Sequence, residues 1–263
     1  MNVIFNGNLI NDNDQSIGIE NRAFLYGDGL FETMICENDN VLFIEDHLER
    51  LHRGMGVMKI NIPDSLTIAS IKTQIKLLLE TNYIEQSARV KLIVWRKPGG
   101  LFCPTSNEPD FLITCKKHSP LIYSERKVDF SNDITLSRTI YSEFKRCSSL
   151  PYVLAGIEMK ERKLDDIILL DNEGNVAECL YSNIFWLKEK TYYTPSLDTG
   201  CIAGIRRKFM LKKIKESDME IEIVKSKPAA LLESDHVFAT NVAGIYPITQ
   251  IRGKVYKSFI PTF

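Results

Sequence analysis

The first third of the chain reads as hairpins followed by helices. Val3-Ile4-Phe5 and Leu9-Ile10 flank Asn6-Gly7, a dipeptide that accepts the left-handed backbone of a tight hairpin turn. Residues 30–36 and 41–44 flank the polar run Glu37-Asn38-Asp39-Asn40, which predicts a second hairpin. The period then changes: Leu48, Leu51, Met55 and Met58 recur at helical spacing and predict a helix opening at Glu45. Pro63-Asp64-Ser65 is a start signal for another helix, whose apolar face takes in Leu66, Ile68, Ile71, Ile75 and Leu78. Short apolar runs at 90–95 and 111–114 read as strands, separated by the break Pro98-Gly99-Gly100.

Beyond them, residues 118–127 lack periodicity and are the candidate linker. A helix is expected over 150–163, then strands at 167–170, 184–187 and 192–193. Gly204 precedes a helix over 205–215, and late strands fall near 221–224, 237–240 and 245–249. Strands and helices mix without strict βαβ alternation, which argues against a parallel doubly wound sheet. No internal repeat and no low-complexity segment interrupts the pattern.

Composition narrows the class. The chain has 263 residues, with 33 Lys and Arg against 34 Asp and Glu, so a basic excess suited to nucleic acid or a membrane surface is absent. Apolar content of 44% argues against disorder. The six cysteines are scattered without a C-x-x-C pair, and neither a signal peptide nor an apolar run of the ~20 residues that cross a bilayer is present. A reduced, cytoplasmic protein is the expectation. Gly27-Asp28-Gly29 opens like a dinucleotide finger, but Glu32 stands where the third glycine belongs. A phosphate-cradling G-x-x-x-x-G-K-[ST] and a G-x-S-x-G elbow are both missing. The four histidines, His47, His52, His118 and His236, show no zinc-ligand spacing, so no metal is expected.

Four segments carry chemistry together: Asn21 to Thr33, Asp46-His47-Leu48-Glu49-Arg50-Leu51, Ala177 to Phe185, and Tyr193-Thr194-Pro195 through Gly204-Ile205-Arg206-Arg207. In this order they resemble the class IV aminotransferases, the pyridoxal-phosphate enzymes that include branched-chain aminotransferase, D-amino acid aminotransferase and aminodeoxychorismate lyase. The resemblance runs from about Asn6 to Ile248. It implies a mixed α/β protein of the fold-type IV kind, with a small N-terminal α/β domain (1–117), the linker (118–127) and a larger, barrel-like C-terminal domain (128–263). The cofactor, pyridoxal 5'-phosphate, is then expected between the domains, and a homodimer is implied.

The resemblance also implies roles. Lys145, 13 residues before Glu158, takes the family's Schiff-base position, although the usual Leu-Asn after that lysine is replaced by Cys147-Ser148. Lys160 is the alternative, in a setting that reads as a solvated helix face. The catalytic lysine must be a neutral amine near working pH, which burial beside cations favours. Glu178 would face the pyridine nitrogen. Arg50 would hold the phosphate, with the amides of Ile205 and Arg206 at a helix start and the Thr240-Asn241 loop. Most relatives carry threonine at the position of Arg206. Tyr26 either lines the substrate side or is a core tyrosine. Arg96, in Arg96-Lys97-Pro98-Gly99-Gly100-Leu101, is expected on the substrate side; the second arginine of the lyase pattern is replaced by Leu101. The substrate is an amino acid or aminodeoxychorismate. The expected reaction is transamination, with lyase chemistry as the alternative and a non-catalytic binding protein behind both.

Overall fold

The structure is a computed structural model of the whole chain, described here for residues 1–13, 18–119 and 126–262. It divides into two compact units, Met1–Pro120 with Phe144–Ser149, and Leu121–Glu143 with Leu150–Phe263.

In the first unit, β1 (Asn2–Phe5) and β2 (Asn8–Asn11) form the hairpin, with Asn6 at φ 49° and Gly7 at φ 86° as its turn. A short helix α1 (Arg22–Tyr26) leads into β3 (Gly29–Glu37), which turns through Asn38 and Asp39 into β4 (Asn40–Val41). The second strand of this hairpin is shorter than expected: Phe43 turns left-handed at φ 56° and Ile44 already starts α2 (Ile44–Val57). Helix α3 (Ile68–Thr81) begins at Thr67, whose hydroxyl caps Ser70 N. Leu66 is buried just ahead of α3, and Ile68 is exposed rather than on the apolar face. Strands β5 (Ser87–Arg96) and β6 (Pro109–Lys117) complete an antiparallel sheet of order β2-β1-β6-β5-β3-β4. Leu30 and Met34 of β3, with Val90, Leu92 and Val94 of β5, pack on one face beneath Leu48, Leu51 and Met55 of α2 and Ile71, Ile75 and Leu78 of α3.

The second unit opens with β7 (Arg126–Leu136), a strand the sequence pattern did not predict. Val128 and Phe130 alternate inward, but Ser131-Asn132-Asp133 resembles a turn, and the pairing register shifts there between Phe130 and Thr135. Of the expected linker, residues 120–125 lie outside the described residues, and β7 already begins at Arg126. Helix α4 (Leu150–Glu161) precedes β8 (Asp166–Asp171), β9 (Val176–Cys179), β10 (Asn183–Lys188) and β11 (Thr191–Pro195). Then come α5 (Ile205–Lys215), β12 (Glu220–Val224), α6 (Pro228–Leu232), β13 (His236–Asn241), β14 (Gly244–Ile251) and β15 (Lys254–Val255).

The sheet runs β12-β11-β10-β13-β14-β7-β8-β9, mostly antiparallel, with parallel pairs at β11–β12, β14–β7 and β7–β8. Its last strand, β9, returns to β10 through only Leu180-Tyr181-Ser182, so the sheet must curl upon itself. The inner face forms one core from Phe130, Ile168, Ile184, Trp186, Val237 and Ile248. Outside it, α4 covers Ile167 and Leu169, and α5 covers Phe185 and Phe238. The result is a partial barrel with a helix on each side. Among the described residues, no helix is long and apolar enough to cross a membrane.

Candidate active site

In the first unit, Lys145 is held by its backbone. Phe144 is buried beside Leu30 and Gly54 of the core, which anchors the segment. Lys145 O then accepts from Phe31 N at 2.8 Å, Arg146 bridges Leu30, and Cys147 N donates to Gly29 O at 2.9 Å. The segment thus adds itself to the edge of β3 that short β4 leaves open. A side chain at Gly29 would meet Val94 O and Cys147 Sγ at 2.7 and 3.1 Å, so this pairing requires glycine. Lys145 Nζ lies 5.1 Å from the centre of the Phe31 ring. Lys160 is exposed in the last turn of α4.

Arg50 sits on the buried face of α2 and pairs with Glu32 of β3, Nε to Oε1 at 2.8 Å and Nη2 to Oε2 at 2.6 Å. His47, one turn earlier, places Nδ1 2.6 Å from the same Oε2. All three side chains are buried. Burial alone pushes the Glu32 carboxyl up, but the Arg50 charge and the hydrogen bonds from His47 and Arg50 prevail and hold it at about 2. Glu32 and His47 both fall inside the sequence motifs, which give neither of them a role. The available signal was a carboxylate between Leu30 and Met34 on the core face of a strand, answered by a His-x-x-Arg pair on one helix face.

Arg96 ends β5. It is 5% exposed, and its guanidinium donates inward to Asp28 Oδ2 at 3.0 Å, Lys59 O at 2.9 Å, Met58 O at 2.6 Å and Asn107 Oδ1. These bonds anchor the 97–108 loop to the rest of the first unit. Arg22 does the same from α1, bonding Asp28 and the carbonyls of Gly99, Gly100 and Leu101. Tyr26 is half-buried, with the Arg22 guanidinium 4.8 Å from its ring centre and Phe102 beside it. It is therefore not a core tyrosine; it packs on this loop.

In the second unit, Glu178 is the next-to-last residue of β9 and is 3% exposed. Its carboxylate accepts from Tyr152 Oη at 2.6 Å, Ile202 N at 3.1 Å and Asn183 Nδ2 at 3.3 Å. Asn183, at the start of β10, also donates to Ile202 O at 2.8 Å and pairs in register with Thr240 of β13. Gly204 caps α5 without any side-chain hydrogen bond, and a Cβ there would collide with Asn183 Oδ1. Asn183 therefore ties together the Glu178 carboxylate, the start of α5 carrying Ile205 and Arg206, and the end of β13. Arg206 Nη2 donates to Val242 O at 3.2 Å.

The loop after β13 departs from expectation in its donors. Thr240 is 1% exposed and its hydroxyl donates to Gly244 O at 3.2 Å. Asn241 donates to Tyr181 O, and its Oδ1 accepts from Ala243 N and Tyr246 Oη. Both side chains help organise the β13–β14 turn. Among the described residues no group of His, Cys, Asp and Glu is placed to hold a metal, and all six cysteines are free thiols.

These features coincide with a family match. The sequence model of the class IV amino-transferases matches residues 29–251, and the chain belongs to that family. The family's members are pyridoxal-phosphate-dependent enzymes. Among curated relatives, the aminodeoxychorismate lyase of Bacillus subtilis is 29% identical over 97% of this chain and 88% of its own. The D-alanine aminotransferase of Bacillus licheniformis is 26% identical over 99% of this chain and 92% of its own. Solved structures share the fold, which is fold-type IV. The branched-chain aminotransferase of Thermoproteus uzoniensis, solved with norvaline, superposes with a TM-score of 0.89 at 20% identity, over 98% of this chain and 89% of that one. The branched-chain amino acid aminotransferase of Escherichia coli gives 0.86 at 21% identity, over 97% and 88%.

Proposed function

We propose that this chain is a pyridoxal-phosphate-dependent aminotransferase that moves an amino group between an amino acid and a 2-oxo acid. The observation that carries this reading is Glu178, a buried carboxylate fixed by a hydroxyl, a backbone amide and a side-chain amide. Donors of this kind favour the ionised form. A fixed, ionised carboxylate is what a protonated pyridine nitrogen needs as its partner. The residues present also fit a phosphate: α5 starts at a glycine with no side-chain cap, so its first-turn amides are suited to an anion.

When bound, pyridoxal phosphate supplies the electron sink that makes the substrate's α-proton acidic. In this reading the Lys145 amine would hold the cofactor aldehyde and would move the proton at the substrate's α-carbon. Glu178 would face the ring nitrogen as its anionic partner. The amides of Ile205 and Arg206 would hold the phosphate. Arg50, a guanidinium suited to a phosphate dianion, would add charge to that group. Thr240 and Asn241 shape the neighbouring loop.

Leu101 favours transamination, since it is 74% exposed at the place where the lyase pattern carries a cation for a substrate carboxylate. Lyase chemistry is the second reading, supported by the Bacillus subtilis relative and by Gly99 and Gly100, both retained and both at positive φ. A homodimer is part of the proposal: α4 leaves Leu150, Val153, Leu154 and Ile157 exposed along one stripe, a face suited to a second copy. Six free thiols fit a reducing cytoplasm.

The test is spectroscopic. Protein loaded with pyridoxal phosphate is mixed with L-glutamate, and the visible band of the bound cofactor is followed. Its conversion to the aminated form supports transamination. An unchanged band, with pyruvate released from aminodeoxychorismate in the absence of any oxo acid, selects the lyase instead.

A further inference from the structure

Arg207 stands in the first turn of α5 and is 6% exposed. Its Nη2 donates to Pro195 O at 2.8 Å, while its Nε is out of water with no hydrogen-bond partner. It forms no ion pair of its own among the described residues. A buried charge in that state is expensive unless another charge answers it through space.

The geometry supplies one. The position a Cβ would take at Gly204 is 3.5 Å from Arg207 Cβ and runs into Asn183 Oδ1. Asn183 in turn donates to Glu178 Oε2, as does the amide of Ile202, five residues before Arg207. Arg207 Cβ and the Glu178 carboxylate thus both adjoin one close glycine–asparagine approach, Arg207 through Gly204 and Glu178 through Asn183. Burial draws the Arg207 pKa down, and at neutral pH, where Cys201 is an uncharged thiol, the Glu178 charge acts against that pull.

We propose that Arg207 is a positioning residue that answers the charge of Glu178 across the Gly204–Asn183 contact and keeps that carboxyl ionised. Its purpose rests on the cofactor reading of Glu178; its geometry does not. Other titratable groups of the second unit lie around Glu178. Tyr152 from α4 is a neutral donor. Cys201, ahead of α5, is pushed up to about 12 by burial and stays neutral. On the far side of Cys179, Asp166 of β8 and Arg126 of β7 pair with each other at 2.8 Å.

The test titrates Glu178 in the full chain, without added cofactor, by carbon NMR of labelled glutamate, with Glu178→Gln assigning the resonance. Arg207→Gln is expected to raise the Glu178 pKa by about one unit, the scale on which loss of one nearby opposite charge moves a carboxyl. Arg207→Lys, which keeps the charge, is expected to restore most of that shift. An unmoved titration in Arg207→Gln overturns the proposal, whether or not pyridoxal phosphate binding weakens. Should Arg207→Gln fail to fold, the double variant Glu178→Gln/Arg207→Gln decides: recovery of folding supports mutual compensation, and failure overturns it. The cofactor reading fails separately. Loss of the visible band with the titration shift intact sinks that reading alone.

Discussion

Replacing Glu32 by Gln probes the buried pair beneath α2, where the structure allows a magnitude to be worked out. The carboxyl is held at about 2 against an ordinary 4.5, a difference of about 2.5 pH units. At 1.36 kcal/mol per unit this corresponds to about 3 kcal/mol of stability at neutral pH, the range in which breaking one side of a buried ion pair falls. The sign follows from the direction of the shift. A depressed carboxyl stabilises the fold fully above the unfolded value and loses that contribution as pH falls through the folded one. The gap between wild type and Glu32→Gln is therefore expected to stay near its full size from pH 7 to about 5 and to vanish by about pH 2. The chain's two tryptophans, Trp95 and Trp186, lie one in each unit. Urea unfolding in a Trp186→Phe background, followed by Trp95 fluorescence, reports the first unit alone. A gap below about 1 kcal/mol, or one that does not change with pH, would refute the reasoning.

Tyr152→Phe removes the 2.6 Å hydrogen bond to the Glu178 carboxylate, worth about 2 kcal/mol for a charged acceptor, and steady-state kinetics should show a 10- to 30-fold loss of turnover in a folded protein. Gly204→Ala drives a methyl into Asn183 Oδ1, and equilibrium titration should find pyridoxal phosphate bound at least about tenfold more weakly, with stability reduced by about 2 kcal/mol. Arg96→Gln separates a loop anchor from a substrate contact. As an anchor its loss costs the first unit about 3 kcal/mol by Trp95 fluorescence, whereas a raised KM with unchanged stability would return it to the substrate side.

The sequence pattern makes visible what depends on local period and on order along the chain. Helix α5 falls on the expected 205–215 because Gly204 and the apolar spacing mark its start without competition. The hairpin at Asn6-Gly7 is legible for the same reason. Strand β7 is not, because its middle carries Ser131-Asn132-Asp133 where the register slips, and a bulged strand reads as a turn. The early start of α2 depends on Phe43 adopting φ 56°, which an aromatic residue does not announce.

Site chemistry divides in a similar way. Glu178 and Lys145 become candidates through the order of motifs. The partners that fix them are not, because Tyr152, Asn183 and Phe144 act through long-range contacts that no spacing encodes. Arg96 and Thr240 show how far residue type alone carries. A donor's residue type shows what it can bond, and only the fold shows that Met58, Lys59 and Gly244 carbonyls already take those protons.

The central claim is that Lys145 is the lysine that holds the cofactor. Protein incubated with pyridoxal phosphate, reduced with borohydride and digested should yield one phosphopyridoxyl peptide, modified at Lys145, by mass spectrometry. Lys145→Ala should leave the fold intact and yield no such peptide. Label at Lys160 or another lysine, or stoichiometric labelling that survives Lys145→Ala, would contradict the account.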